Sequence, residues 1–172
     1  IATYSHSGRD LADVLGALLD LPGEFRVRLS STEPGPILPR VVEVMRESPR
    51  VCRFLHLPLQ YGEDRILERM NRRYRMAEYE QLARLASSSL PGLCLGTDII
   101  VGFPGETDET FAICRESIAR LPVNHLHVFT YSPREGTPAA GFPDQVPGDL
   151  ATRRADELTR LGAEKAEAFA RS

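Results

Sequence analysis

Cysteine is scarce and scattered. The chain of 172 residues carries three, Cys52, Cys94 and Cys114, an odd count at wide spacings with no C-x-x-C pair. Neither a disulfide framework nor a self-contained metal site is indicated. The three are expected to be small core residues of a reducing compartment. Lysine is scarcer still: of 21 basic residues, all but Lys165 are arginine. Arginine suits phosphate recognition through its planar fork, and an arginine-rich genome gives the same composition. No apolar run is long enough to cross a membrane, and no signal peptide heads the chain. The first residue is Ile1, so a start within a longer protein is expected. A net charge of -3 argues neither for nor against a nucleic-acid partner. No internal repeat and no low-complexity tract interrupts the chain.

What remains is globular in composition, 42% hydrophobic and 26% charged, and sized for one domain or part of a larger one. Short apolar strands alternate with amphipathic helices. Asp10 is placed to cap a helix with the stripe Leu11, Val14, Leu15, Leu18 and Leu19, which "LPG" at 21–23 stops. "FRVRLS" at 25–30 alternates as a strand does. Residues 37–47 read as a helix with Pro39 in its first turn. "CRFLHLPLQ" holds a short strand ending near His56, and two helices follow at 63–70 and 77–89. "LGTDIIVG" is the most buried-looking strand. Asp108 and Glu109 then open a helix with the stripe Phe111, Cys114, Ile118 and Leu121. "HLHVFTY" at 125–131 is a strand, 132–148 a proline- and glycine-rich loop, and 149–169 a final helix. Four strands and about six helices in alternation predict an α/β fold with parallel strands joined by right-handed crossovers.

In such folds ligands bind at the carboxyl ends of the strands. The residues just past each strand are therefore the candidates: Ser31 and Glu33 after the first, His56 and Gln60 after the second, Asp98, Ile100 and Gly102 on the third, Tyr131 after the fourth. Each has a structural alternative. Glu33 before Pro34 can cap the next helix, His56 can be a hydrogen-bonded core histidine, and Gln60 can end a loop. Gly102 and Gly105 can supply turn geometry alone. Asp98 is harder to set aside, because a carboxylate in so apolar a strand must be paired. "GFPG" is neither a Walker loop, since no lysine follows, nor G-x-G-x-x-G. "ERMNRRYR" with Arg65 places five arginines between 65 and 75. Arg69, Arg72, Arg73 and Arg75 are candidates for RNA phosphate contact; interleaved acids also fit a solvated face.

"RLSSTEP" (28–34), "HLPLQYGEDRILERMNRRY" (56–74), "TDIIVGFPGETDETF" (97–111) and "HVFTYSPREGTPAA" (127–140) occur in this order. Together they resemble the radical S-adenosylmethionine (SAM) methylthiotransferases, over essentially the whole chain. "VGFPGET" alone recurs more widely among radical SAM enzymes. "GRDL", "RLSSTEP", "MNRRY" and "YSPREGTPAA" look most like the tRNA-modifying branches, nearest to the one that methylthiolates N6-threonylcarbamoyladenosine beside the anticodon. The isopentenyladenosine branch shares much of this, and the branch acting on a ribosomal protein matches "MNRRY" less well.

The resemblance implies a partial TIM-like barrel of six βα units, of which strands three to six with their helices are expected here. It implies SAM as cofactor, and 4Fe-4S clusters whose C-x3-C-x2-C loop and second-cluster domain are absent from this chain, as is the carboxyl-terminal RNA-binding barrel. The chain would be the carboxyl-terminal portion of the core domain, inactive alone, and cytoplasmic with a tRNA substrate in the full-length enzyme. Ser31, Glu33, His56 and Gln60 would face methionine and ribose, the backbone from Ile100 to Gly102 the adenine, and Tyr131 would stack nearby. Asp98 would fix the strand end or a neighbouring helix, and Glu106 would cap the turn or a helix. No residue here is expected to act as nucleophile, general base or metal ligand. Without two preceding strands, the edge beside "FRVRLS" would be exposed, favouring a dimer or modest stability. Competing readings are another radical SAM enzyme of the coproporphyrinogen oxidase kind, or a non-catalytic remnant that binds nucleotide or RNA.

Overall fold

The computed structural model describes residues 2–172. The chain opens with a two-stranded antiparallel hairpin, β1 (Ser5–His6) and β2 (Arg9–Asp10), which the apolar pattern does not announce. Its turn residues Ser7 and Gly8 both have positive φ, 50° and 74°, as a two-residue hairpin turn matching strand twist requires. The helix α1 (Leu11–Leu19) starts where expected: Asp10 accepts from the amides of Ala12 and Asp13, and the Asp13 carboxylate accepts from the Asp10 amide. Leu11 and Leu15 are buried, but Leu18 is 41% exposed. Only one face of α1 is covered, and Leu18 turns away from it.

The segment 25–30 alternates in burial as a strand would, with Leu29 buried and Arg26, Arg28 and Ser30 exposed. It nevertheless forms only an isolated parallel bridge, Val27 to Val51. The Val27 amide donates to Arg50 (2.9 Å), the Cys52 amide donates to Val27 (2.9 Å), and the Thr32 amide donates to His56 (2.9 Å). Its partners Arg50, Val51 and Cys52 precede β3, and the pairing does not extend into a ladder. No strand pairs with its other side among the described residues.

The sheet proper has three parallel strands in the order β3 (Phe54–His56), β4 (Cys94–Val101), β5 (His125–Thr130). Helices α2 (Leu38–Glu47), α3 (Asp64–Arg69), α4 (Met76–Ser89), α5 (Asp108–Arg120) and α6 (Gly148–Arg171) provide the crossovers and cover one face. A 3-10 turn, Pro138–Gly141, interrupts the last loop. Along β4 the two-residue period divides the faces. Leu95, Thr97, Ile99 and Val101 are fully buried under the helices. Cys94, Asp98 and Ile100 are half-buried and face the opposite, concave side. Leu55, Tyr79, Ala83, Ala86, Cys114, Ile118 and Leu158 complete the core beneath. Of the cysteines, Cys114 is a core residue, while Cys52 and Cys94 are only half-buried.

Beyond β3 the chain detours through Pro58 and then rejoins the sheet. The Leu57 amide donates to Gly96 (2.8 Å) and the Leu59 amide to the Thr97 hydroxyl (2.9 Å). The Gln60 amide donates to Asp98 and the Gln60 carbonyl accepts from Ile100, both at 2.8 Å. Tyr74 and Tyr79 brace the detour from below, donating to the Leu59 (2.9 Å) and Leu57 (2.8 Å) carbonyls. Burial pushes the Tyr74 phenol up to about 12 and the Tyr79 phenol higher still, so both remain donors.

Candidate functional site

The polar residues of the concave face meet across the strands. Register places Gly96 opposite His56 and His127 opposite Asp98. One Asp98 oxygen, Oδ1, lies 3.1 Å from His56 Nε2 and 3.1 Å from His127 Nδ1. His127 Nε2 in turn lies 3.0 Å from His125 Nε2. Asp98 is therefore paired, as an acid in this strand must be, but with two imidazoles on the flanking strands rather than with a strand end or a helix. A side chain at Gly96 would place Cβ 2.9 Å from His56 Nδ1; glycine there leaves room for the ring. Burial, then the neighbouring His127, His56 and Arg28, hold the His125 imidazole below its ordinary range.

Gln60 adopts φ = 72°, the left-handed region that a side chain rarely takes. Both its backbone groups are held by β4, which sustains the strain at this end of the sheet. Ser31 and Glu33 are exposed on either side of fully buried Thr32.

The turn after β4 is locked by charge. Glu106 Oε2 accepts from the Gly102 amide (2.9 Å), and Glu106 Oε1 pairs with Arg154 Nη1 (2.6 Å). Both side chains are buried, Glu106 completely. Burial raises the Glu106 carboxyl above its ordinary range, against the opposing pull of the Gly102 amide and Arg154. Arg154 also reaches Asp108 at the start of α5 (2.6 Å), so one guanidinium ties α6 to both the turn and the next helix. Of the two roles the resemblance implied for Glu106, turn or helix cap, it takes the turn. Gly102 (φ = 74°) is explained by packing: a Cβ there would sit 2.6 Å from Ala151 Cβ on α6.

At the carboxyl ends of β4 and β5 lies a cavity of about 670 Å³. Ile100, Phe103, Phe129 and Tyr131 form its apolar shelf, and Arg69 and Arg72 its polar side. Phe103 meets Tyr131 edge-on at 5.1 Å. Two buried polar atoms at this cavity, Tyr131 Oη and Arg72 Nε, have no hydrogen-bond partner. Buried polar groups ordinarily find a partner, so two orphans beside one cavity stand out.

The four candidate arginines divide. Arg69 is fixed by the Pro104 carbonyl (3.1 Å), by Asp144 (2.7 Å) and over the Phe142 ring (4.9 Å). Arg72 faces Glu33 (3.3 Å). Arg73 and Arg75 are exposed. Thus Ile100, Tyr131, Arg69 and Arg72 line one cavity, while Glu33, in contact with Arg72, lines a separate groove with Pro34 and Arg73. His56 and Asp98 belong to the histidine network, and Ser31, Gln60 and Gly102 stand apart from the cavity lining. The sequence reading did not single out His125, His127, Phe129 or Arg154. The alternation in "HLHVF" carried a signal for the first three: in a parallel sheet one face of that strand must meet Asp98.

The cavity's flat apolar shelf and orphaned polar atoms fit a nucleobase with a polar tail, such as SAM. An iron–sulfur cluster does not fit the residues present. Among the described residues, the three cysteines do not gather into a ligand set, and Cys114 is buried against the Gly62 amide (3.1 Å).

Comparison with known proteins agrees with this geometry. The coproporphyrinogen III oxidase of Escherichia coli, described as a radical SAM enzyme, superposes with a TM-score of 0.67 at 19% identity, covering 81% of this chain and 32% of that one. Methylornithine synthase superposes with a TM-score of 0.60 at 19% identity, covering 81% and 39%. At these identities the likeness concerns the fold, a radical SAM barrel of which the parallel strands here form an arc. A tRNA-2-methylthio-N(6)-dimethylallyladenosine synthase of Verminephrobacter eiseniae is 40% identical over 149 residues, 87% of this chain and 33% of the relative. A threonylcarbamoyladenosine tRNA methylthiotransferase of Thermotoga maritima is 37% identical over 151 residues, 88% and 35%. The chain therefore spans about a third of the length of these relatives, and both expected branches stand at comparable identity. Residues 5–117 match the sequence pattern described as the Radical SAM superfamily. By that match and by its fold, the chain belongs to the radical SAM superfamily.

Proposed function

We propose that the chain is the cofactor-facing arc of a tRNA methylthiotransferase, which installs a methylthio group on a modified adenosine next to the anticodon. The observation that carries this reading is the 37% and 40% identity to tRNA methylthiotransferases of two branches, over 88% and 87% of the chain. SAM bound here would supply radical chemistry together with a 4Fe-4S cluster, which none of this chain's three cysteines is placed to hold.

The chain's own residues bind and orient. Ile100 and Phe129 offer apolar faces to the adenine, and the Tyr131 hydroxyl and Arg72 Nε–H supply directional polar contacts. Glu33, positioned by Arg72, reaches the ribose or the methionine ammonium, with Ser31 and Gln60 completing that side. His56 and Asp98 hold the floor of the strand ends, and Gly102 sets the turn that closes the shelf. The buried Arg154–Glu106 pair keeps α6 against this turn and water away from it. Arg73 and Arg75, being exposed, offer charge to the tRNA backbone; Arg69 and Arg72 act at the boundary between cofactor and RNA. The remainder of the barrel is supplied by the rest of the protein, and the unpaired edge at 25–30 is where it joins, or where isolated chains pair. With a tRNA substrate, the cytoplasm is the compartment this reading expects.

The test uses the intact protein, reconstituted anaerobically with iron and sulfide and incubated with SAM and undermodified tRNA. Nucleoside mass spectrometry should find a methylthio group on either N6-dimethylallyladenosine or N6-threonylcarbamoyladenosine. SAM cleavage without either product would overturn the substrate assignment.

A further inference from the structure

The concave face carries a second constellation that the cavity does not use. His56 Nε2, Asp98 Oδ1 and His127 Nδ1 come from three adjacent parallel strands and lie within 4.8 Å of one another. We propose that they form a binding site for a divalent transition ion of the zinc class, distinct from any iron–sulfur cluster.

Four observations support it. The donor set is two imidazoles and one carboxylate, which zinc-class ions accept while leaving a coordination position open. Each imidazole nitrogen lies 3.1 Å from the shared carboxylate oxygen, close to the edge of about 3.3 Å that ligand bonds of about 2.0 Å make in a tetrahedron. The ring of His127 is oriented from behind. With Nδ1 on the ion, its Nε2–H is left to donate to His125 Nε2 at 3.0 Å. Finally, Asp98 Oδ2 makes no hydrogen bond to the protein among the described residues and remains free for a second contact. Strand register, rather than loop conformation, fixes all three ligands. Asp98 and His127 lie on the less buried face of the sheet.

The competing account is a metal-free network in which both imidazoles donate to Asp98. The experiment separates the two. The 172-residue chain, stripped with chelator and exchanged into chelator-free buffer, is titrated with cobalt(II) as a spectroscopic stand-in and with zinc(II) in competition. One cobalt per chain should bind, giving visible ligand-field bands without the thiolate charge-transfer band that cysteine ligation produces. Zinc should displace it. His127→Gln, at a half-exposed position, should abolish binding with the circular dichroism spectrum unchanged. Asp98→Asn should do the same. His125→Ala should retain the site with affinity lowered about 10- to 100-fold. Absence of a saturable cobalt spectrum in the folded chain would overturn the proposal, as would binding unaffected by His127→Gln, or a thiolate band showing that the cysteines are the ligands. The outcome is independent of whether the intact protein modifies tRNA.

Discussion

Replacing Arg154 by methionine isolates the buried ion pair at the turn after β4. The guanidinium and the Glu106 carboxylate are 5% and 0% exposed at 2.6 Å. Removing one partner of such a pair leaves an uncompensated charge and costs about 3–5 kcal/mol. The second partner, Asp108, is 94% exposed, so its share is small, about 0–1 kcal/mol. For a chain of this size a loss of 3–5 kcal/mol lowers Tm by roughly 6–20 °C. The loss should depend on pH with a definite sign. Burial raises the Glu106 carboxyl in the folded protein above its unfolded value, so its contribution is more favourable at low pH and is lost as pH rises through the folded value. Without Arg154 the carboxyl rises further. The deficit of Arg154→Met relative to the parent should be largest near pH 8 and shrink toward pH 5, as Glu106 takes up a proton. Adding Glu106→Gln removes the stranded charge while keeping an acceptor for the Gly102 amide, and should recover about half the deficit. Thermal and urea unfolding followed by circular dichroism at pH 5 and 8 measure all three. A Tm loss under about 3 °C, an equal loss at both pH values, or a double variant less stable than Arg154→Met alone would refute the reasoning.

Two glycines should respond oppositely to alanine. Gly102→Ala meets Ala151 at 2.6 Å and must keep φ near 74°; strain of about 1–2 kcal/mol and overpacking of about 1–3 kcal/mol should lower stability in thermal melts. Gly16→Ala, inside α1 with nothing within 4 Å of the new Cβ, should raise it by about 1 kcal/mol. Reversing charge at Arg73 and Arg75 together in the intact protein should weaken tRNA binding and flatten its salt dependence by about one unit of slope per lost phosphate contact, read by filter binding from low to high salt. Phe129→Ala, which truncates an exposed ring at the cavity, should lower SAM affinity in equilibrium dialysis while leaving the melting curve of the chain within about 2 °C, since an exposed side chain contributes little to folding.

The sequence was legible where a local rule acts alone. The helices fall within a residue or two of their expected bounds, because capping residues and the 3.6-residue stripe are local. Asp10, Thr107 and Glu63 each cap the helix they precede. Asp98 stood out because an acid in an apolar strand needs a partner. Legibility failed where a neighbour had to be supplied. Residues 25–30 have a strand's alternation yet only one bridge, because the chain that lies against them, Arg50 to Cys52, precedes β3 and is not itself a strand. Leu18 continues a helical stripe and is still 41% exposed, because among the described residues only the short amino-terminal hairpin borders that side of α1. Arg69 and Arg72 look like Arg73 and Arg75 in the sequence, but the first two are drawn into contacts with Pro104, Asp144 and Glu33.

Composition, order of motifs and hydrophobic period by themselves determined the class of the fold, the family and the end of the sheet where ligands belong, since these follow from local chemistry repeated along the chain. Only the tertiary structure decided which side chains share a site. It brought His56, Asp98 and His127 together through strand register, although 42 and 29 residues separate them in sequence. It set the Glu106 carboxylate against a guanidinium 48 residues away. It also left Tyr131 Oη and Arg72 Nε without partners at one cavity. Distance along the chain carries no information about these meetings, because parallel crossovers fix which strands become neighbours only once the helices between them have packed.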